Sequence, residues 1–136
     1  MKTRDDIVEM LKSKGITPTA PRVEIAQILF ERPQHLSAEQ ILKTVNENSP
    51  TASKATIYNT LGLFVEKNLL KEVIVDPSKV FYDSNVSNHF HFFNTDTAEL
   101  TDIDLDEVHI DKLPELPEGT VSSGLDVIVR IKNSLT

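Results

Sequence analysis

The stretch Ser53-Lys-Ala-Thr-Ile-Tyr-Asn-Thr-Leu-Gly-Leu-Phe-Val-Glu-Lys67 predicts an amphipathic helix that is capped by its first serine. Two β-rich runs follow it, at residues 70–75 and 79–82, and the turn-forming Asp76-Pro-Ser78 between them predicts a hairpin. A helix followed directly by a hairpin is the arrangement of a DNA-reading helix and its wing. The positions predicted to face the core are Ala55, Ile57, Leu61, Phe64 and Val65.

Three further helices are predicted before this stretch. Apolar residues at positions 7, 8 and 11 mark a first helix that ends at Gly15, and a second runs from its cap Thr19 until Arg32-Pro33 stops it. The capping box Ser37-Ala-Glu-Gln40 opens a third helix, and a turn is expected at residues 48–52. Four helices and a hairpin in this order predict a winged helix-turn-helix.

The rest of the chain predicts a smaller domain. Residues 89–93 and 99–103 are typical of strands joined by a polar turn, residues 105–113 of a short helix, and residues 120–131 of a final strand. The predicted fold class is therefore α+β. An N-terminal winged helix-turn-helix DNA-binding domain is expected over residues 1–83, and a small α/β domain over residues 84–136.

The reading helix offers several side chains to DNA. In a helix-turn-helix the last helix lies in the major groove, and its first two turns meet base edges and phosphates. Lys54 can neutralise phosphate, Asn59 can pair with adenine, and the ring of Tyr58 can lie against a thymine methyl; Thr56 faces the same way, and Arg22 is placed for a second phosphate. The alternative interpretation leaves Tyr58 half-buried and Lys54 merely solvated.

Composition and charge limit the classes of protein. No apolar run approaches the roughly 18 residues of a membrane span and the N-terminus has no signal-like stretch, so we expect a cytoplasmic protein without membrane contact. The absence of cysteine excludes disulfides, thiol catalysis and thiolate zinc sites. The net charge of −7 is uneven: residues 1–72 carry ten Lys or Arg against nine Asp or Glu, whereas residues 73–136 carry four against twelve. The first part suits DNA, and the second attracts divalent cations.

A set of nitrogen and oxygen donors stands out in the acidic half. Asp83, His89, His91 and Asp102 lie within 20 residues, and His35 stands upstream. In a strand, His89 and His91 would point to the same face, so two imidazoles would be directed at one point. Such a set suits a divalent first-row metal such as Mn, Fe, Co or Zn. A pair of histidines in a strand is also often just exposed or hydrogen-bonded, and that interpretation stays open at this point.

Four motifs occur in order along the chain. They are Ile16-Thr-Pro-Thr-Ala-Pro-Arg22, Pro33-Gln-His-Leu-Ser-Ala-Glu-Gln-Ile41, Ala52-Ser-Lys-Ala-Thr-Ile-Tyr-Asn-Thr-Leu61, and Tyr82-Asp83 followed by His89-Phe-His91. Together they resemble the ferric-uptake-regulator (Fur) family, and within it the peroxide-responsive repressor (PerR) branch, over roughly residues 4–105. The resemblance implies a homodimeric repressor of operator DNA, not an enzyme, in which the C-terminal domain serves dimerisation and metal sensing.

The resemblance also implies one regulatory Fe(II) or Mn(II) ion per subunit, with His35, Asp83, His89, His91 and Asp102 as ligands. An aspartate at position 102, where Fur-like iron sensors usually carry glutamate, is the mark of the peroxide-sensing branch. The implied mechanism is a clamp: ligands from both domains share one ion and select the arrangement that binds DNA. With Fe(II) bound, peroxide would then oxidise His35 or His89 and release the clamp. The Mn(II) form would not respond to peroxide.

Two departures from the family pattern matter. Relatives commonly hold a structural zinc with two CxxC pairs, but Asn94 and Thr97 stand at the first pair and the second has no counterpart, so no structural zinc is expected. Gly62 stands where relatives carry arginine. A glycine within a helix costs about 1 kcal/mol relative to alanine, which points to close packing or to close approach of DNA.

Three rival hypotheses remain at the level of the sequence. The chain would be a manganese- or iron-responsive regulator that ignores peroxide, a small non-haem iron oxygenase built on two histidines and one carboxylate, or a plain dimerisation module with incidental histidines. An Fe(II) and peroxide gel shift, turnover with oxygen, and equilibrium dialysis with metal separate them. His109 matches no ligand position and is read as a surface residue.

Overall fold

A computed structural model describes residues 2–48 and 52–135 of the chain. The chain divides into two compact units, one ending at Val86 and one beginning at Ser87. The described residues contain four α-helices and two three-stranded sheets, which confirms the mixed α+β prediction. None of these helices is long and apolar enough to cross a membrane. The turn predicted around residues 49–51 lies outside the described residues.

The first unit carries all four described helices, and local capping explains where they begin. The side chains of Thr3, Thr19 and Ser53 each accept a backbone N–H three residues on, and Ser37 and Gln40 form the predicted reciprocal capping box. Gly15 ends the first helix at φ +74, the left-handed conformation that glycine adopts without strain. The helices are α1 (Arg4–Ser13), α2 (Ala20–Leu29), α3 (Ala38–Asn48) and α4 (Lys54–Glu66).

One hydrophobic core joins these helices. Ile57, Leu61 and Phe64 form the inward stripe of α4, and each is fully buried. They pack in a cluster with apolar residues of α1, α2 and α3. Burial of this kind, rather than helix propensity alone, stabilises helices of this length.

A small antiparallel sheet completes the first unit. Its strands are β1 (His35–Ser37), β2 (Lys71–Asp76) and β3 (Lys79–Asp83), in the order β1-β3-β2. The turn between β2 and β3 is fixed by Asp76, whose Oδ1 accepts from both the N–H and the hydroxyl of Ser78 at 2.8 and 2.6 Å. These bonds lower the pKa of the Asp76 carboxyl, first through the Ser78 hydroxyl. The predicted hairpin is thereby confirmed, and β1 adds a third strand to it.

The second unit is a sheet with β4 (Phe90–Asn94) at its centre. The strand β5 (Leu100–Ile103) pairs antiparallel with one edge of β4, and β6 (Ile128–Ile131) pairs parallel with the other. Its buried apolar side chains are few, and they are Phe90, Phe93, Leu100 and Ile103.

Two predictions for the second unit are wrong. The helix expected over 105–113 shrinks to a single 3-10 turn, Leu105–Glu107, because Leu105, Ile110 and Leu113 are all exposed and no buried stripe stabilises a helix. The strand expected over 120–131 forms only at Ile128–Ile131, where β4 offers a partner. The segment between these two elements has no helix or strand.

Candidate functional site

The outward face of α4 is exposed along its whole length. Ala55, Asn59, Gly62 and Glu66 follow one another at intervals of three or four residues, so they share one face of the helix, and all four are exposed. The prediction that Ala55 is a core residue is therefore wrong. A Cβ added at Gly62 would meet nothing within 4 Å, so close packing inside this unit does not explain that glycine.

An open groove of about 610 Å³ runs between the start of α2 and this face of α4. Four of the predicted DNA-binding residues line it, and they are Arg22, Thr56, Tyr58 and Asn59. Glu66, which the sequence reasoning did not single out, lines it as well, and its position seven residues after Asn59 on the same helical face is the signal that was available.

Two cationic residues at this surface contact other groups of the first unit, one through a hydrogen bond and one through an aromatic ring. Arg22 donates from Nη1 to the carbonyl of Thr17 at 2.9 Å. The Nζ of Lys54 lies 5.8 Å from the ring centroid of Tyr58, a cation–π distance, and Tyr58 is 38% exposed. Tyr58 is thus partly exposed near an exposed cation, a combination that suits contact with a phosphate backbone and with bases.

A histidine and an aspartate face each other in the first unit. His35 on β1 is the cross-strand partner of Asp83 on β3, and cross-strand partners bring their side chains within reach. The His35 Nε2 lies 3.2 Å from the Asp83 Oδ2, and Asp83 is buried. The other carboxylate oxygen accepts from the Asn85 N–H at 2.9 Å, which fixes its orientation.

The second unit repeats this arrangement with one more histidine. His91 on β4 is the cross-strand partner of Asp102 on β5, and His89, which lies just before β4, has its ring centroid 4.5 Å from that of His91. The Asp102 Oδ1 lies 3.3 Å from the His89 Nε2 and 3.5 Å from the His91 Nε2. Both histidines are buried, whereas the Asp102 side chain is 49% exposed.

The ring nitrogens of His89 have different partners. Its Nδ1 lies 2.7 Å from the carbonyl of Ser87, and because a carbonyl only accepts, Nδ1 must carry the proton. A neutral ring then presents the Nε2 lone pair toward the side where Asp102 and His91 lie. A hydrogen bond of this kind to a backbone carbonyl is how metal-binding histidines are usually oriented. No side-chain pattern could have predicted Ser87, since it acts through its backbone.

This donor set fits a divalent metal chemically. Imidazole nitrogens and carboxylate oxygens suit manganese and iron in the +2 state. Each member of the His89, His91 and Asp102 trio offers one ligand atom, and these atoms lie within 4.8 Å of one another.

Comparison with known proteins places the chain in a family. The model of the ferric uptake regulator family matches residues 3–118. The chain belongs to this family. Its fold agrees with solved structures of Fur proteins from Pseudomonas aeruginosa with manganese (TM-score 0.68, 23% identity, 92% of this chain and 96% of that one) and from Francisella tularensis with iron (0.70, 18%, 88% and 92%).

The similarity extends to repressors described as peroxide-responsive. One from Staphylococcus epidermidis is 29% identical over 107 residues, which cover 76% of this chain and 71% of that protein. Members of the Fur family are dimeric DNA-binding regulators with an N-terminal winged helix and a C-terminal dimerisation domain. The chain is therefore a metal-responsive transcriptional regulator of the Fur family and not an enzyme, as the sequence predicted.

Proposed function

We propose that this regulator is a homodimeric repressor whose binding to operator DNA depends on one Fe(II) or Mn(II) ion per subunit. The observation that carries the proposal is the donor geometry: an aspartate lies opposite a histidine across paired strands in each unit, and a second histidine joins the pair in the second unit. In this proposal His35 and Asp83 share one ion with His89, His91 and Asp102. Sharing it would favour the arrangement of the two units that fits DNA.

The DNA contacts in this proposal come from the groove beside α4. Asn59 and Tyr58 would read base edges, Lys54 and Arg22 would neutralise phosphates, and Thr56 would add a hydroxyl contact. The partly exposed ring of Tyr58 and the position of Arg22 at the groove support these roles.

Peroxide sensing is the finer part of the proposal. Hydrogen peroxide would be the oxidant, and Fe(II) held by the donor set would promote the reaction: one peroxide oxygen would be added to an imidazole carbon, and the other would leave as water. His35 and His89 are the candidates to gain an oxygen atom, as the resemblance to the peroxide-responsive branch implies. An oxidised imidazole is a poorer donor, so repression would end. The similarity to peroxide-responsive repressors supports this role.

We further propose that the chain holds no structural zinc. The chain contains no cysteine, and Asn94 and Thr97 stand where relatives place the first thiolate pair. The second unit would then depend on its own hydrogen bonds and on its partner subunit for stability.

One experiment tests the central claim. Operator sites are selected from random duplex DNA with the Mn(II)-loaded protein, and affinity is then measured with Mn(II) and with chelator. We expect His91→Ala to lower Mn(II) affinity by at least about 100-fold and to abolish metal-dependent DNA binding. His109→Ala, which alters an exposed histidine outside the donor set, should change neither. Equal DNA affinity with and without metal would refute the switch and leave DNA binding intact.

A second measurement addresses peroxide. Peptide mass spectrometry after Fe(II) and peroxide treatment should find one added oxygen on His35 or His89, and none in the Mn(II) form. An unmodified, fully repressing Fe(II) protein would favour a regulator that ignores peroxide.

A further inference from the structure

A group of hydrogen bonds ties the turn after β4 to the chain after β6. The Asn94 Nδ2 donates to the Asn133 Oδ1 at 2.9 Å, and the Asn133 N–H donates to the Asp96 Oδ2 at 2.9 Å. The Ile131 carbonyl accepts from the Thr95 N–H at 2.8 Å and from its hydroxyl at 3.2 Å. We call these bonds the terminal clasp; they join residues 36 to 39 positions apart in sequence.

Asn94 uses both ends of its amide. Its Oδ1 accepts from the Asp96 and Thr97 N–H groups at 2.9 and 3.1 Å, and its carbonyl accepts from Ala98 at 2.8 Å. These bonds lie within residues 94–98 and do not involve the residues after β6. They also orient the Asn94 side chain so that its Nδ2 can donate to Asn133. A preformed turn loses less conformational entropy when it makes its outward bonds.

The strand β6 is short and lies at the end of a long connection. It is four residues long, and residues 104–127, which connect it to β5, contain only one 3-10 turn. None of its side chains is fully buried, and Val129 and Ile131 are each 39% exposed. Ordering the end of such a long connection costs loop-closure entropy. The terminal clasp acts at the point where this strand ends.

The strand that β6 pairs with carries His91, and His89 lies immediately before its first residue. Ile128 is the β6 partner of His91, and the His91 N–H donates to the Val127 carbonyl at 3.2 Å. On its other side His91 faces Asp102 of β5. The backbone N–H of His91 is thus bonded on the β6 side, while on the β5 side His91 is paired in register with Asp102.

We propose that Asn94 and Asn133 are positioning residues for the metal donors: the terminal clasp holds β6 against β4 and so keeps His89 and His91 directed at one point. This inference rests on the proposed metal function. With no cysteine in the chain, amides and backbone groups make the cross-link that positions this strand. The terminal clasp therefore persists in the presence of a chelator.

The test compares full-length variants in hydrogen–deuterium exchange and in Mn(II) titration calorimetry. Asn133→Ala removes the acceptor for Asn94. We expect faster amide exchange at Thr95 and His91, unchanged exchange in α1 to α4, and Mn(II) affinity lowered by about 3- to 10-fold, the effect of one or two hydrogen bonds. Lys132→Ala, at the exposed neighbouring position, should leave both readouts unchanged.

A conservative variant separates positioning from general stability. In Asn94→Asp the carboxylate still accepts the turn N–H groups, and the Asn133 amide can rotate to donate to it, so Mn(II) affinity should stay near that of the unaltered chain. A lower melting temperature in Asn133→Ala with unchanged Mn(II) affinity and unchanged His91 exchange would overturn the proposal. If the unaltered chain takes up no Mn(II), the proposed function fails, and the exchange of Thr95 and His91 alone then decides whether the clasp holds β6.

Discussion

The two units differ in how completely they bury their own apolar side chains. Among the described residues of the first unit, fifteen buried residues form one cluster around Leu61 and Phe64. The second unit buries four apolar side chains and exposes more, with Leu113 at 56%, Leu116 at 54% and Val121 at 90%. Apolar side chains that stay exposed within one segment are typical of a surface that a partner covers. We therefore expect the first unit to depend mainly on its own core. We expect the exposed apolar side chains of the second unit to be covered by a second copy, since the family is dimeric.

Deleting a core phenylalanine from each unit should give the largest contrast. Phe64→Ala leaves a cavity in a fully packed cluster and should cost about 3–5 kcal/mol at every protein concentration. Phe93→Ala, in the thin sheet, should cost less, and its effect should grow as the protein is diluted. Urea unfolding at several concentrations measures both. If both variants lose the same free energy of unfolding at every protein concentration, the second unit has a complete core of its own.

Charges placed on the exposed apolar segment should separate the subunits. The double variant Leu113→Asp and Leu116→Asp would bury two unpaired carboxylates in the interface and should weaken dimerisation by at least about 100-fold. Sedimentation equilibrium measures it. Ile74→Asp is the matched control, because Ile74 is also 56% exposed but lies on β2 of the first unit. An unchanged dimer in the double variant would place the interface elsewhere.

A smaller change in the stability of the first unit is expected on substitution of Gly62. Gly62 lies inside α4 without a positive φ, and an added Cβ meets no neighbour. Gly62→Ala should therefore stabilise the first unit by about 0.5–1 kcal/mol. Thermal unfolding tests this, and a loss of stability would show a contact that the open space at this position does not suggest.

The smallest expected effect is at alkaline pH. Burial, aided by the Glu72 carboxylate and by Tyr58, raises the pKa of Tyr82 above its ordinary 10.0. The folded chain thus favours the neutral phenol, so this contribution to stability is complete below pH 10.0 and is lost as pH rises through the raised pKa. Tyr82→Phe should flatten the fall in urea midpoint above pH 10.0, and an equally steep fall would exclude Tyr82 as its source.

The sequence predicted best what depends on neighbours along the chain. The caps at Thr19, Ser37 and Ser53 involve residues three positions apart, and all three form. The helix expected over 105–113 and the long strand over 120–131 failed because both depend on distant partners, which periodicity does not reveal.

The candidate metal site also has features that local sequence predicted and features that depend on distant pairing. Strand alternation alone predicted that His89 and His91 share a face, and both lie near Asp102. The register that sets Asp102 opposite His91, and His35 opposite Asp83, comes from pairing between strands, so only the family resemblance could suggest it. The terminal clasp had no signal beyond turn-forming residues at 94–97.

The parallel pairing of β6 with β4 has a consequence for biogenesis. The ribosome synthesises the whole helical unit, which ends at Val86, before it reaches Ile128. The DNA-facing unit can therefore fold first, whereas the sheet of the second unit, which positions two of the histidines, cannot form completely until β6 has been synthesised. Each new molecule would then acquire its nucleic-acid surface earlier than its capacity to respond to metal.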